Sequence, residues 1–203
     1  MQTVSCNSVP IATVNAGPLL NEKELKFLEN QEMQVVRGGK ADISIECNLL
    51  YLPKLKRVKK IMDGYADKYM KSVLGLANEI YPCQSWIAKS KAGGIHPQHF
   101  HKGCLFSAVY YVYGKGRLNF NFIRSRISEQ MNLGFDILEY NEFNSEIHYF
   151  DTYPGFLIFF PGHILHEAKD IVEDKMILGA NYFVKGFIGA TSDQVDKLKI
   201  KPY

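Results

Sequence analysis

The chain has 203 residues, a length that suits one domain and can bury a sizeable core. Hydrophobic residues make up 46% and charged residues 22%, which is an ordinary globular composition and excludes a largely disordered chain. With 24 Lys and Arg against 21 Asp and Glu, the formal net charge is only +3, so we expect no nucleic acid as the main partner.

Cysteine spacing and the N-terminal sequence indicate a cytoplasmic protein. The four cysteines form no CxxC pair and have no disulfide-like spacing, which fits a reducing compartment. The first residues, MQTVSCNSVPIATVNAG, lack the basic and apolar regions of a signal peptide. No stretch approaches the roughly 20 apolar residues needed to span a bilayer, so we expect no membrane partner.

Two amphipathic helices are predicted in the first part of the chain. The segment Asn21 to Glu32 opens with Asn and has Glu24 three positions later, the arrangement of a capping box at a helix start. From Pro53 to Asn78, apolar residues recur close to a 3.6-residue period, and Pro53 suits the first helical position. We expect a long helix there, with its apolar stripe packed on a sheet.

After Pro82 the apolar residues alternate with a period of two, which is typical of strands. The predicted strands are SWIAKSK, CLFSAVYYVY, RLNFNFI, EIHYF, GFLIFF and KMILGANYFV. No strand is followed by a helix-length connection, so an antiparallel barrel or sandwich is favoured. We expect one domain, with two helices in an N-terminal segment at 1–80, a β core at 81–190 and a C-terminal tail at 191–203.

Three of the six histidines lie within HPQHFH, just before a predicted buried strand. His99 and His101 are two residues apart, so in a strand their imidazoles point to the same face and can converge on one ion. His96 has an odd spacing from both, which predicts the opposite face if the strand extends that far. Solvated histidines on a surface strand are the alternative.

A second histidine cluster follows the buried segment GFLIFFPG, where His163 and His166 come after a Pro-Gly turn. Two imidazoles alone hold a divalent metal weakly, so a third ligand from a distant strand would complete a metal site. The two clusters together favour a metal site over isolated surface histidines.

These motifs together resemble the 2-oxoglutarate- and Fe(II)-dependent oxygenases, most closely the small oxygenases encoded by cyanophages and other marine phages. The resemblance covers nearly the whole chain, from NEKELKFLENQE through PKLKRVKKIMDGYADKYM and QSWIAKSKAGGIHPQHFHKGCLFSAVYYVYGKGRLNF to GFLIFFPGHILHE, DKMILGANYFVKGFIG and DKLKI. It implies a mainly β fold with N-terminal helices, the double-stranded β-helix or cupin-like jelly roll.

The resemblance implies three Fe(II) ligands, which are also the catalytic residues. His99 and His101 match the first two ligands and His166 matches the third, while His163 is the first substitute for His166. Many oxygenases of the larger superfamily have a carboxylate where this chain has His101. Three neutral imidazoles would leave the iron more positive.

The resemblance also implies how 2-oxoglutarate is bound. Lys175, nine positions after His166, matches the basic residue that binds the distal carboxylate, although a turn lysine is the alternative. Tyr111 matches a tyrosine whose hydroxyl contacts the same carboxylate, although it would suit simple core packing as well. Asn181 has an even spacing from Lys175 and is expected to line the pocket. Where relatives often have a serine, this chain has Ile177.

The implied activity is hydroxylation of a C–H bond, coupled to decarboxylation of 2-oxoglutarate to succinate with O2. The expected substrate is a prolyl residue in a peptide or a small metabolite, near Trp86 and the loop from Lys89 to Gly94. A homodimer is one possible state, and the location would be the host cytoplasm if a phage encodes the chain. The alternatives are a cupin-like three-histidine dioxygenase or isomerase without 2-oxoglutarate, and a non-catalytic jelly-roll binding module. Only the oxoglutarate-dependent function needs a cation at Lys175.

Overall fold

A computed structural model of the protein describes residues 9–36, 41–122, 136–141, 144–145, 147–189 and 198–202. Its strands are β1 (Ala12–Asn15), β2 (Met33–Val35), β3 (Ala41–Ser44), β4 (Ile80–Ser90), β5 (His96–His99), β6 (Phe106–Tyr113), β7 (Gly116–Asn121), β8 (Ile147–Thr152), β9 (Phe156–Pro161), β10 (Leu165–Lys169), β11 (Lys175–Val184), β12 (Gly186–Ile188) and β13 (Leu198–Ile200). Its α-helices are α1 (Glu22–Glu29) and α2 (Lys56–Lys68). Short 3₁₀ turns at Leu49–Tyr51 and Pro53–Leu55 precede α2, and a π-helical turn at Tyr69–Val73 continues it.

The strands form two main antiparallel sheets. The large sheet has the order β1-β9-β6-β11-β4-β3-β2, and the small sheet has the order β5-β10-β7-β8. Strands β12 and β13 pair with each other in a separate ribbon. The six strands predicted from the period-two pattern are all present, and the antiparallel pairing is confirmed. The predicted strand ends at Ile123 and Glu146, and residues 191–197 of the predicted tail, lie outside the described residues.

Side chains on the large sheet alternate between two hydrophobic cores. On β6, Phe106 and Tyr110 belong to the core beneath the helices, whereas Val109 and Tyr111 belong to the core between the sheets. This alternation follows from the period of two in a strand. The inner face of the large sheet is therefore the face available to a site between the sheets.

Helix α1 has the predicted capping box. The Asn21 side chain accepts a hydrogen bond from the Glu24 backbone N–H at 2.9 Å, and the Glu24 carboxylate accepts one from the Asn21 N–H at 2.9 Å. Within the described residues, no helix is both long and apolar enough to cross a bilayer.

The long helix ends earlier than the sequence predicts. Its last helical residue is Val73, and Leu76 is exposed, so the prediction of a helix up to Asn78 is wrong for its last residues. Gly75 has a φ of +66°, the left-handed conformation that commonly follows a helix end. The predicted packing of the helix on a sheet is confirmed, since Val58 and Met62 lie in the core beneath it.

The expectation that helices come first and strands only afterwards is wrong. Strand β1 pairs with β9 at one edge of the large sheet, and β2 and β3 extend the other edge from β4. Each of these strands has only three or four residues, too few for the alternation of apolar residues to stand out. The large sheet thus includes residues on both sides of the predicted boundary at residue 80.

We expect Met62→Ala to destabilise the protein by about 2–5 kcal/mol, because Met62 is fully buried between α2 and the large sheet and its truncation leaves a cavity. The free energy of unfolding is measured by urea denaturation. Lys60→Ala on the exposed side of the same helix is the control and should change it by less than about 0.5 kcal/mol. Equal effects of the two substitutions would contradict the packing described here.

Candidate active site between the sheets

Three histidines from two separate parts of the chain meet between the sheets. His99 ends β5, His166 on β10 is its direct cross-strand partner, and His101 lies in the loop that follows β5. The backbone N–H of His101 donates to the carbonyl of Gly162 at 2.8 Å, which ties this loop to the turn before β10. One ring nitrogen from each imidazole lies within 4.8 Å of those from the other two. The structure therefore brings together the three residues predicted as metal ligands.

Backbone carbonyls determine the tautomers of two of these rings. Nδ1 of His99 lies 2.8 Å from the carbonyl oxygen of Pro97, and Nδ1 of His166 lies 2.8 Å from that of Ile164. A carbonyl oxygen can only accept, so each ring has its proton on Nδ1. The Nε2 atom of each ring is left as an acceptor with a free lone pair.

A side-chain network determines the tautomer of His101. The Ser107 hydroxyl donates to Oδ1 of Asn181 at 2.7 Å, and the Asn181 amide donates to Oε1 of Gln84 at 2.9 Å. Because the Ser107 proton is used on Asn181, the Ser107 oxygen accepts from Nδ1 of His101. Nε2 of His101 then faces Nε2 of His99 at 3.2 Å. Two facing acceptors repel each other unless a cation lies between them, so the donor set fits a bound metal ion.

Sequence reasoning missed Ser107 and expected Asn181 in the wall of the pocket. The structure instead places both residues behind His101, and neither is among the residues that line the cavity. The sequence signal for Ser107 is a polar residue on a strand that is otherwise buried, although that pattern alone does not identify its partner.

Burial keeps the histidines of this site neutral. Desolvation, together with the smaller effect of neighbouring imidazoles, lowers the pKa of His101 and of His96 to about 4. Desolvation also lowers the pKa of His99 and of His166. The four rings are therefore uncharged near neutral pH, which is the form that binds a metal.

Lys175 brings a buried cation to the same cavity. It begins β11, only 4% of its surface is exposed, and its Nζ has no hydrogen-bond partner among the described residues. Desolvation lowers the pKa of Lys175 to about 8. An ammonium group buried without an anion is costly, so this position favours binding of an anionic ligand.

Tyr111 lines the cavity with its ring. Burial raises the pKa of its hydroxyl, and the nearby Thr152 hydroxyl donates to the carbonyl of Gly116 at 3.0 Å. The part of Tyr111 next to Lys175 is the aromatic ring, whose centroid is 5.6 Å from Nζ, a cation–π distance.

The structure places His96 in the cavity, so the prediction that it faces the other way is wrong. Its ring centroid is 4.6 Å from that of His99. Two steps along β10, from His166 to Ala168, correspond to three steps along β5, from His99 to His96. This bulge adds one residue and turns the His96 side chain to the inner face.

His163 is exposed in the turn after β9 and lies outside the histidine cluster.

The remaining wall of the cavity is mainly apolar. It includes Trp86, Ala88, Val109, Leu118, Ala168 and Ile177. The Trp86 ring packs edge-on against His101, with ring centroids 5.3 Å apart. A Cβ atom at Gly179 would lie 2.6 Å from Cζ2 of Trp86, so glycine at this position makes room for the indole.

The segment that contains this site resembles a known family. Residues 84–176, which contain the three clustered histidines and Lys175, match the family model described as "Putative 2OG-Fe(II) oxygenase". The matched segment is a little under half of the chain, and it is similar to that family. The family match and the three convergent histidines together support an enzyme that takes Fe(II) as its metal and 2-oxoglutarate as its cosubstrate. No curated protein sequence matches the chain.

Solved structures share its fold over most of the chain. An oxidoreductase of the 2OG-Fe(II) oxygenase family from Burkholderia pseudomallei aligns with a TM-score of 0.59 at 12% identity, covering 86% of this chain and 84% of that one. A Pseudomonas putida prolyl-4-hydroxylase aligns with a TM-score of 0.57 at 14% identity, covering 88% and 95%. HygX from Streptomyces hygroscopicus, solved with nickel and 2-oxoglutarate, aligns with a TM-score of 0.57 at 11% identity, covering 87% and 83%. These similarities confirm the predicted double-stranded β-helix.

We expect the metal-free protein to lose stability as the pH falls from about 6.5 to about 4. An unfolded histidine has a pKa of about 6.5, whereas the folded pKa of His96 and of His101 is about 4. Between these values the unfolded chain binds more protons than the folded one, so the free energy of unfolding decreases as protons are added. Denaturant titrations over this range, with a chelator present, measure the slope.

Two variants separate the contribution of the buried histidines to this pH dependence of the free energy of unfolding from the contribution of the carboxylates. His101→Gln removes one of the buried titrating groups and should flatten the slope. The exposed His163→Gln is the matched control and should leave the slope unchanged. Equal slopes in all three proteins would contradict the proposed cause.

Proposed function

We propose that the protein is a hydroxylase in which Nε2 of His99, His101 and His166 binds Fe(II). The observation that supports this assignment most directly is the 3.2 Å contact between Nε2 of His99 and Nε2 of His101, both of which are acceptors. When bound, the iron supplies the activation of O2 that couples decarboxylation of 2-oxoglutarate to hydroxylation of a C–H bond.

The protein orients the metal ligands through groups without charge. Their Nδ1 partners are the carbonyls of Pro97 and Ile164 and the hydroxyl of Ser107. These hydrogen bonds set the direction of each lone pair before any metal is bound, as outer partners of metal-binding histidines commonly do. Because all three ligands are neutral, the negative charge that balances the metal comes from the bound cosubstrate.

Lys175 holds the distal carboxylate of 2-oxoglutarate in this proposal. The cavity contains the histidines as well as Lys175, and the buried ammonium has no other anion as a partner among the described residues. The ring of Tyr111 forms the wall beside the ammonium, since its centroid is 5.6 Å from Nζ. We assign Asn181 an indirect role, in which it holds Ser107 and through it His101.

Lys175 favours this function over the two alternatives. A three-histidine dioxygenase or isomerase without 2-oxoglutarate needs no cation in the cavity and would leave the buried ammonium unpaired. A non-catalytic binding module needs neither the cation nor three convergent lone pairs. The oxoglutarate-dependent function uses both features.

For the substrate we propose a prolyl residue of a peptide or a small metabolite. The likeness in fold to a prolyl-4-hydroxylase supports the peptide, and the largely apolar cavity next to Trp86 is compatible with either. The loop from Lys89 to Gly94 would form part of the substrate side. A close relationship to phage oxygenases, a cytoplasmic location and a homodimer stay predictions from the sequence.

The proposed function predicts a visible absorption band when 2-oxoglutarate is added anaerobically to the Fe(II)-loaded protein. The band arises because the keto acid chelates the metal. His166→Ala should lose most of the metal affinity and therefore the band, whereas His163→Ala should keep both. A wild-type protein that binds Fe(II) but never develops the band would rule out the oxoglutarate-dependent function.

Lys175→Met should have opposite effects on stability and on cosubstrate binding. Removal of a buried and unpaired ammonium should leave the free energy of unfolding of the metal-free protein unchanged or increase it. Affinity for 2-oxoglutarate should fall at least tenfold, because its distal carboxylate loses a charged partner. Denaturation and calorimetric titration measure the two effects.

The matched control is Lys185→Met, just beyond the other end of β11, where the half-buried lysine pairs with Glu79. It should not change 2-oxoglutarate binding. Unchanged 2-oxoglutarate binding in Lys175→Met would remove Lys175 from the cosubstrate site.

A further inference from the structure

Gln84 lies at the end of the large sheet's inner face that is farthest from Lys175. Along β4, the side chains of Gln84, Trp86 and Ser90 share one face, because alternate residues of a strand point the same way. Trp86 and Ser90 line the cavity, and Ser90 is the register partner of Lys175. Gln84 is one step beyond Trp86 in the opposite direction, and its side chain is exposed.

A directional chain of hydrogen bonds links Gln84 to the metal ligand His101. Nδ1 of His101 donates to Ser107, and the Ser107 hydroxyl donates to Oδ1 of Asn181 at 2.7 Å. The Asn181 amide in turn donates to Oε1 of Gln84 at 2.9 Å. Every step runs the same way, so Gln84 uses its oxygen as the last acceptor. The polar group that remains at the exposed end is its amide nitrogen, which has two N–H donors.

The indole of Trp86 forms an apolar surface between Gln84 and the histidines. A Cβ atom at Gly179 would lie 2.6 Å from Cζ2 and 2.7 Å from Cε2 of Trp86, so one face of the indole covers Gly179. The indole also meets the His101 ring edge-on, with centroids 5.3 Å apart and an interplanar angle of 82°. Because Trp86 lines the cavity as well, its other face is open to a ligand beside the metal ligands.

An N–H donor next to an aromatic ring suits a peptide that contains proline. Proline has no backbone N–H, so a prolyl segment presents carbonyl oxygens as its polar backbone groups. In the polyproline II conformation these carbonyls form no internal hydrogen bonds, and such segments bind grooves lined by aromatic side chains. Gln84 offers a donor for a carbonyl oxygen, and Trp86 offers a ring for the pyrrolidine.

We infer that Gln84 is a substrate-binding residue, whose amide N–H donates to a carbonyl oxygen of a prolyl peptide while the pyrrolidine ring packs on Trp86. This inference rests on the proposed function and selects the peptide over the small metabolite. The two ends of the Gln84 amide then have separate roles. Oε1 completes the chain of hydrogen bonds that orients His101, and Nε2 contacts the substrate.

Gln84→Glu tests the inference, because glutamate still accepts from the Asn181 amide but has no N–H to donate. The probe is an acetylated and amidated oligoproline, which is uncharged, added to protein loaded with 2-oxoglutarate and with redox-inactive Zn(II). Trp86 is the only tryptophan of the chain, so its fluorescence reports binding at this site. We expect Gln84→Glu to weaken oligoproline binding about fivefold or more and to keep Zn(II) and 2-oxoglutarate affinity within about threefold of the wild type.

The matched control is Gln34→Glu. Gln34 is an exposed glutamine on β2, at the edge of the same sheet. This substitution makes the same change of charge away from the cavity and should leave oligoproline affinity unchanged. An equal loss of affinity in both variants would assign the effect to net charge and overturn the inference.

The outcomes separate the inference from the proposed function. Equal oligoproline affinity in the wild type and in Gln84→Glu would show that Gln84 does not contact the peptide. Zn(II) or 2-oxoglutarate affinity that falls as far as oligoproline affinity would indicate disturbed metal ligands and also overturn the inference. If the loaded wild type binds 2-oxoglutarate but no oligoproline, the inference is wrong and the proposed function stands. If the Zn(II)-loaded wild type binds no 2-oxoglutarate, both fail.

Discussion

The candidate site depends on three hydrogen bonds that direct imidazole lone pairs toward one point. Each is made by Nδ1, two with backbone carbonyls and one with Ser107. Reversal of any one tautomer would turn an N–H group into the metal position and remove a ligand. Burial reinforces the arrangement because it lowers the pKa of each ring and keeps the rings neutral. Hydrogen bonding and desolvation therefore favour the same protonation state.

The cavity combines neutral ligands with a buried cation and with no carboxylate among its lining residues. This balance is unfavourable for the empty cavity and favourable for a ligand that carries two negative charges. A metal ion at the histidines would add positive charge at one end, while Lys175 already supplies it at the other. A dicarboxylic keto acid compensates both ends at once, which is why the electrostatics of the site suit 2-oxoglutarate.

Close backbone contacts position the side chains that form the site. At Gly162 a Cβ atom would collide with the sulfur of Cys104 and crowd the carbonyl of His101, so glycine allows the two histidine segments to approach each other. At Gly114, where φ is +83°, a Cβ atom would lie 2.6 Å from the Cα of Lys175. Glycine there lets the turn after β6 pack against the start of β11. Both ends of the cavity thus rely on tight packing outside it.

The sequence by itself determined the local features. The capping box at Asn21, the period of two in the long strands and the HxH spacing each depend on residues close together in the chain, and each is visible there. The family resemblance singled out His99, His101, His166 and Lys175, which the structure brings to one cavity. The role of these residues as ligands and as the cosubstrate anchor stays a proposal.

Only the tertiary structure decided how strands from distant parts of the chain align. The bulge between β5 and β10 turns His96 into the cavity, although its spacing from His99 predicts the opposite face. Ser107 supports His101 through Asn181, which is 74 positions further along the chain. The register of β4 and β11 places Ser90 beside Lys175. Strand register depends on packing across the whole sheet, and no short segment of sequence contains that information.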